Sequence, residues 1–376
     1  MSGGADGVGR HDDAVDGPLL EVSDLHVSFP SDRGEVEALA GVGFGVDRGR
    51  TVALVGESGS GKSVTALSVM GLLDHGRITS GSVRFRGSEL VGTPQKELRE
   101  LRGNRMSMVF QNPMSALDPL YTLGNQISEV LLSHGLASRS QARRRAVELL
   151  GEVGIPDPVH RVRAYPHQLS GGQRQRVVIA MAIASGPDLL IADEPTTALD
   201  VTVEAQILEL IRELQDQYGT AVMFITHDIA VVAEMADDVV VLYAGQVVER
   251  GRAERVLASP QHPYTRALLE SIPKGSTPRD VDLPAIAGSV PSLTQMPTGC
   301  RFQPRCPAAF GRCAVEEPPL FRLPAGRESR CWLAEDDQLV TVGAGHGNAA
   351  GSTFVENVTA GRNGAGPRRR EVRDAG

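Results

Sequence analysis

The stretch "TVALVGESGSGKSVTALSVMGLL", residues 51–73, decides the fold. It opens on a short apolar run and closes on apolar residues at helical spacing, and between them "GESGSGKS" (Gly56–Ser63) fits G-x-x-x-x-G-K-[ST]. The pattern predicts a strand, a glycine loop and a helix, with the loop built to cradle phosphates. Gly56, Ser58, Gly59, Ser60 and Gly61 let the backbone curl around a phosphate chain, and amides at the positive helix end bind its charge. Lys62 is placed to reach the β/γ oxygens, and Ser63 to ligate Mg²⁺. Only two other lysines, Lys96 and Lys274, occur in this arginine-rich chain. A compact ammonium suits a crowded phosphate cradle better than a forked guanidinium does.

Outward from the loop, "LLEVSDLHVSF" (19–29) reads as a strand. So do "DLLIAD" (188–193) and "AVMFIT" (221–226), which are too short for helices and suit strands buried on both faces of a mainly parallel sheet. The helix "VEAQILELIRELQDQYG" (203–219) supplies the crossover between the last two. Asp193 ends a buried strand, where a carboxylate is costly unless it faces a cation, and Mg²⁺ shared with Ser63 supplies one. Glu194 follows where the chain turns, in position to act as general base on an attacking water. Alone, the pair would equally well cap a strand.

The chain has 376 residues, enough for two structured units, and its 41% hydrophobic and 22% charged content is that of a globular protein. A net charge of −8 argues against a duplex-binding surface, so no nucleic acid partner is expected. The N-terminus lacks the apolar core of a signal peptide, and no run of about 18 apolar residues occurs, which predicts a cytosolic chain that does not span a membrane. Residues 1–17 and 337–376 read as disordered tails, and Pro-rich text after about residue 255 marks a boundary.

"LSGGQRQR" (169–176), shortly before "LLIADEPTTALD" (189–200), resembles the ATP-binding subunits of ABC transporters. Signature, Walker B strand, D-loop ("TALD", 197–200) and switch histidine (His227 in "FITHD") follow in the family's order, and the likeness covers about residues 19–255. The resemblance implies an α/β P-loop ABC ATPase domain over residues 18–255: a RecA-like core sheet with antiparallel β and helical subdomains. On the residues themselves, Ser170, Gly171 and Gly172 open a helix and form a second anion site, with Gln173 beside them. In the family that site closes over the ATP held by another subunit, so the resemblance implies a head-to-tail dimer. It further implies that Gln111 in "VFQNP" senses Mg²⁺ and the attacking water, that His227 contacts the γ-phosphate, and that Phe29 stacks on adenine. Asp200 belongs to the D-loop, and Ser63, Gln111 and Asp193 to the Mg²⁺ site. The implied reaction is attack of water on the γ-phosphate of ATP, with Glu194 as base, Lys62 and Mg²⁺ spreading charge, and Ser170 and Gly172 of the other subunit assisting.

Two stretches narrow the resemblance. "FQNPMSALDPLYTLGNQI" (110–127) and "QHPYTRALL" (261–269), with its triplet His262, Pro263 and Tyr264, look like the oligopeptide, dipeptide and nickel importer ATPases, closest to the dipeptide type. The likeness implies a motor that works with a second homologous ATPase, two transmembrane permease subunits and an extracytoplasmic solute-binding protein, peripheral on the cytoplasmic face of the membrane. Peptides are the implied solute; nickel, glutathione and other small solutes stay open. A soluble ABC ATPase acting on DNA or ribosomes would carry coiled-coil or zinc insertions or two ATPase halves, and this chain has one compact motif set.

All four cysteines lie in an extension over residues 256–336: Cys300, Cys306 and Cys313 in "GCRFQPRCPAAFGRC" (299–313), then Cys331. A reducing cytosol disfavours disulfides, and C-x-x-C knuckles are absent. Four thiolates on a core-poor segment can enclose a metal or a [4Fe–4S] cluster. Related importer subunits share the pattern and are associated with the cluster, which is therefore expected in preference to Zn²⁺, with a metal-free loop ranked behind both. On this reading the cysteines form a self-contained metal site on a C-terminal extension, outside the hydrolytic machinery.

Overall fold

The computed structural model describes residues 17–32, 34–197, 199–271 and 286–335. The tails expected over 1–17 and 337–376 lie outside the described residues, Gly17 apart. Strands β1 (Leu20–Ser31) and β2 (Gly34–Val46) precede β3 (Thr51–Val55), the strand that feeds the glycine loop. Next come β4 (Arg77–Phe85), β5 (Ser88–Glu89), β6 (Met106–Val109), β7 (Leu189–Asp193) and β8 (Ala221–Thr226). The chain continues through β9 (Asp238–Tyr243), β10 (Gln246–Arg252), β11 (Phe321–Leu323) and β12 (Arg327–Ser329).

Two sheets result. A four-stranded antiparallel sheet runs β2-β1-β4-β5, and an eight-stranded sheet runs β11-β12-β10-β9-β3-β8-β7-β6. In the larger one β3 pairs in parallel with β8 and β9, and β7 pairs in parallel with β8 and β6. Every residue of β3, β7 and β8 is buried, as their unbroken apolar sequences require of strands covered on both faces. The helix Val201–Tyr218 links β7 to β8 and ends at Gly219 in the left-handed region, as the sequence leads one to expect.

Between β6 and β7 the chain forms a helical layer. Its helices Arg139–Glu152 and Gly171–Ile183 each begin with a capping box, Ser138 with Gln141 and Ser170 with Gln173, which satisfies amides the first helical turn cannot pair. Leu123, Ile127, Leu149, Val177 and Ile179 of this layer share one core with Ile207, Leu208 and Ile211 of the crossover helix. The α/β architecture with antiparallel and helical subdomains is therefore borne out.

The extension departs from expectation. Strands β11 and β12 continue the main sheet, β12 pairing antiparallel with β10 so that Glu249 faces Ser329. Tyr264 and Phe302 join Val55, Val241 and Tyr243 in one buried cluster, with ring centroids 4.6 Å apart for Tyr243–Tyr264 and 5.1 Å for Tyr243–Phe302. Pro-rich text hid two large aromatics, so the segment has a core after all, and it is the core of the sheet that carries the glycine loop. At the join, Glu249 is fully buried and accepts from the backbone N–H groups of Gln261 at 2.7 Å and His262 at 2.9 Å. Burial pushes the Glu249 carboxyl up to about 7 and the His262 imidazole down to about 3.

Candidate active site

The glycine loop leaves the C-terminal end of β3, the edge where open α/β sheets bind ligands. Two of its glycines are dictated by space and by backbone conformation. Gly56 has φ 153°, and a Cβ there would fall on the Leu242 carbonyl oxygen; Gly61 has φ 103°, and a Cβ there would meet the Leu39 side chain. Gly61 is also the N-cap of the helix Lys62–Met70, and no side chain caps that end. The Lys62 side chain is 6% exposed, and its amine donates to the carbonyls of Gly56 (2.7 Å) and Glu57 (3.1 Å). Burial pulls the Lys62 pKa down, against the pull of nearby Glu194, Asp193 and Glu57.

Asp193, the last residue of β7, accepts from the Ser63 hydroxyl at 3.2 Å. Burial raises its pKa, with Ser63 and Lys62 opposing and Glu194 adding to the rise. Glu194 adopts φ 46°, a left-handed conformation that a glutamate takes only when its surroundings impose it. Its backbone N–H donates to the Ile225 carbonyl at 3.0 Å, which holds the turn against β8. Four groups converge on its carboxylate. Gln111 Nε2 donates at 3.1 Å and Thr197 Oγ1 at 2.9 Å, both to Oε2, while His227 Nδ1 lies 3.4 Å and Lys62 Nζ 3.9 Å from Oε1. Gly56, Glu57, Ser58, Gln111, Glu194 and His227 line one open cleft of about 800 Å³, and Leu268, Ser271, Ile286, Ser289 and Val290 of the extension also line it.

The remaining sequence candidates lie elsewhere. Ser170 and Gln173 are occupied in their capping box, and Gly172 packs where a Cβ would press on Val203. Asp200 caps the following helix through its bond from the Val203 N–H at 3.0 Å. Gly172 of the signature thus neighbours the helix that Asp200 caps; neither Ser170–Gln173 nor Asp200 lines the cleft beside Glu194, whereas Thr197 of the D-loop reaches the Glu194 carboxylate. Phe29 sits on β1 opposite Val36, its ring against Gly76. Sequence reasoning overlooked Glu57 and Thr197. Glu57 occupies an unspecified position of the loop motif, and Thr197 belongs to the quoted "TALD" without having been given a contact of its own.

The metal expectation at Cys300, Cys306, Cys313 and Cys331 is overturned. Among the described residues no group of three or more His, Cys, Asp or Glu is placed to hold a metal ion. The four thiols are free and, with Phe302, Trp332 and others, line an enclosed cavity of about 10 Å³. That is about the space of one water, far too little for a [4Fe–4S] cube. Burial pushes the Cys306 thiol up to about 11 and the Cys331 thiol up to about 12. Their clustering reflects packing as small apolar side chains around Phe302 and Trp332.

The same test favours a nucleotide at the loop. Ser60 Oγ is buried there without a hydrogen-bond partner, and the Asp193 carboxylate is buried beside a hydroxyl, with burial holding its pKa up. Lys62 Nζ points into the same loop, donating to the Gly56 and Glu57 carbonyls. Residues Ser63, Asp193 and Gln111 fit the donor set of a hard cation, and the loop fits a triphosphate.

A mixed sheet with a parallel core, a phosphate loop at the end of β3 within that core and a carboxylate pair at the end of β7 define a P-loop nucleotide-binding protein. The chain belongs to the ABC transporter family: residues 39–197 match its ABC transporter domain, and residues 248–313 match the C-terminal region of oligopeptide/dipeptide transporters. It is 49% identical to the dipeptide transport ATP-binding protein DppD of Escherichia coli (strain K12), covering 85% of this chain and 98% of that one. To the oligopeptide transport ATP-binding protein AppD of Bacillus subtilis (strain 168) it is 48% identical, over 85% of this chain and 98% of that one. Among solved structures it resembles the ATP-binding cassette MJ0796 in a dimeric post-hydrolysis state with ADP and Pi. There the TM-score is 0.56 and the identity 31%, over 62% of this chain and 99% of that one.

Proposed function

We propose that this chain is the ATP-hydrolysing motor subunit of a peptide importer. The observation that carries the reading is the convergence of Gln111, Thr197, His227 and Lys62 on the Glu194 carboxylate in a cleft walled by the phosphate loop. Lys62 exchanges its loop carbonyls for phosphate oxygens, which relieves a buried amine. Glu194, fixed through Oε2 by two donors, keeps Oε1 for a water, orients it toward the γ-phosphorus and takes its proton as the bond to ADP breaks. His227 lies on the same oxygen's side and meets the γ-phosphate. Bound at Ser63, Asp193 and Gln111, Mg²⁺ supplies charge neutralisation of the phosphates.

The Ser170–Gln173 end has no nucleotide loop of its own and lies outside the cleft, which supports closure over ATP held by a second, homologous cassette. Permease docking is supported by an open apolar groove of about 580 Å³ between sheet and helical layer, lined by Leu72, Met108, Phe110, Ala116 and Met181 among others. Leu120, 79% exposed, and Met114 and Tyr121 lie exposed in the segment that follows Gln111. No helix among the described residues is long and apolar enough to cross a membrane, so the channel falls to permease subunits, with this chain peripheral on the cytoplasmic face. Relatives named for dipeptide and oligopeptide transport point to peptides as the solute, delivered by an extracytoplasmic binding protein. Reconstitution with two permeases, a second ATPase and a binding protein in vesicles tests this: ATP-dependent uptake of labelled dipeptide supports it, and ATP hydrolysis that never moves a peptide contradicts it.

A further inference from the structure

Glu57, the second residue of the phosphate loop, is held three ways. Its N–H donates to Tyr264 Oη at 2.8 Å, and its carboxylate accepts from both terminal nitrogens of Arg305, at 2.6 and 3.0 Å. Its carbonyl accepts from Lys62 Nζ at 3.1 Å. Two of the three partners belong to the extension, and the third is the cation of the phosphate site.

The extension's partners are rigid. Tyr264 is fully buried against Tyr243 and Phe302. Arg305 has a side chain 4% exposed, lies over the Tyr243 ring at 5.8 Å, and also donates to the carbonyls of Ala287 at 2.9 Å and Ile286 at 3.1 Å. A second grip lies close by: Arg301 donates to the Ala244 carbonyl at 2.5 Å, and the next residue, Gly245, donates its N–H to the Ser60 carbonyl at 2.9 Å. Charge gives the arrangement a purpose. A carboxylate in a loop that receives a polyanion repels it unless neutralised, and a bidentate guanidinium is the strongest neutraliser a protein has.

We infer that Arg305 and Tyr264 of the C-terminal extension are positioning residues for the nucleotide: Arg305 cancels the Glu57 charge beside the phosphates, and Tyr264 fixes the loop backbone on which Lys62 rests. The extension thereby sets how tightly the loop holds a triphosphate. The inference rests on the nucleotide reading above.

Fluorescent ATP and ADP analogues titrated into the full-length chain test it. Arg305→Ala weakens ATP on the order of tenfold and ADP by less, because the exposed charge repels the longer polyanion more. Adding Glu57→Gln to Arg305→Ala brings ATP affinity back to within about threefold of the parent, since no charge then remains to cancel. A merely structural contact predicts the opposite, a double variant no better than the single one. Tyr264→Phe keeps the aromatic stack and removes only the acceptor, so it serves should Arg305→Ala not fold; a loss of about 3- to 10-fold is expected. Parent-like ATP affinity in either single variant, or a double variant as weak as Arg305→Ala, overturns the inference. A parent chain that binds neither nucleotide overturns the nucleotide reading itself and this inference with it.

Discussion

Gln111 Nε2 donates to Glu194 Oε2 at 3.1 Å and so joins the segment entering the helical layer to the carboxylate at the end of β7. The segment after Gln111 also carries exposed Met114, Leu120 and Tyr121, the surface assigned to permease docking. One hydrogen bond therefore links that segment to the carboxylate proposed as the base. On the proposed reading, movement of the helical layer against the sheet would be felt at Glu194 through this bond.

Replacing Lys62 by Ala removes two donors from loop carbonyls and the cation from the phosphate site. Charge-assisted hydrogen bonds contribute about 1.5–3 kcal/mol each, so ATP affinity falls by about a hundredfold or more. Titration with a fluorescent ATP analogue measures it, and parent-like affinity would show that the loop binds phosphate without its lysine.

Ser170→Ala separates two roles. Loss of the capping box costs about 1 kcal/mol of stability, read by urea unfolding. ATP binding by the isolated chain stays, because Ser170 lies outside its own cleft, whereas hydrolysis by the paired cassettes drops. Equal loss in the isolated chain and in the pair would argue against closure by a second cassette.

Stability near the extension depends on pH in a defined direction. Glu249 has a raised folded-state pKa, so its contribution is lost as pH climbs from about 4.5 to about 7, on the order of 3 kcal/mol across that window. His262 has a lowered one, so its contribution is complete above about 6.5 and is lost as pH falls toward about 3. His262→Asn keeps an acceptor for the Tyr264 N–H and removes the titration. The stability difference between parent and variant should shrink as pH falls below about 6.5, by up to about 1.4 kcal/mol per pH unit. Urea unfolding at pH 7.5, 6 and 5 measures it; a constant difference refutes the assignment.

The sheet and the loop were legible because their signals are local. β3, β7 and β8 are unbroken apolar runs, and the spacing Gly56–Gly61–Lys62–Ser63 is a backbone requirement written in residue types. Asp193 and Glu194 were readable from their place at the end of such a run. The grip of the extension on the loop was not: Glu57 meets Tyr264 and Arg305 across 207 and 248 residues of sequence, and nothing periodic announces such a contact. The cysteines misled for a related reason. Their closeness in sequence suggested a shared ligand, while burial around Phe302 and Trp332 accounts for them.

If Glu194 is the base of an ATP-driven motor, Glu194→Gln in the assembled complex separates binding from hydrolysis. ATP should bind with near-parent affinity while hydrolysis and peptide uptake fall together by about 100-fold or more. Hydrolysis at the parent rate would contradict the account.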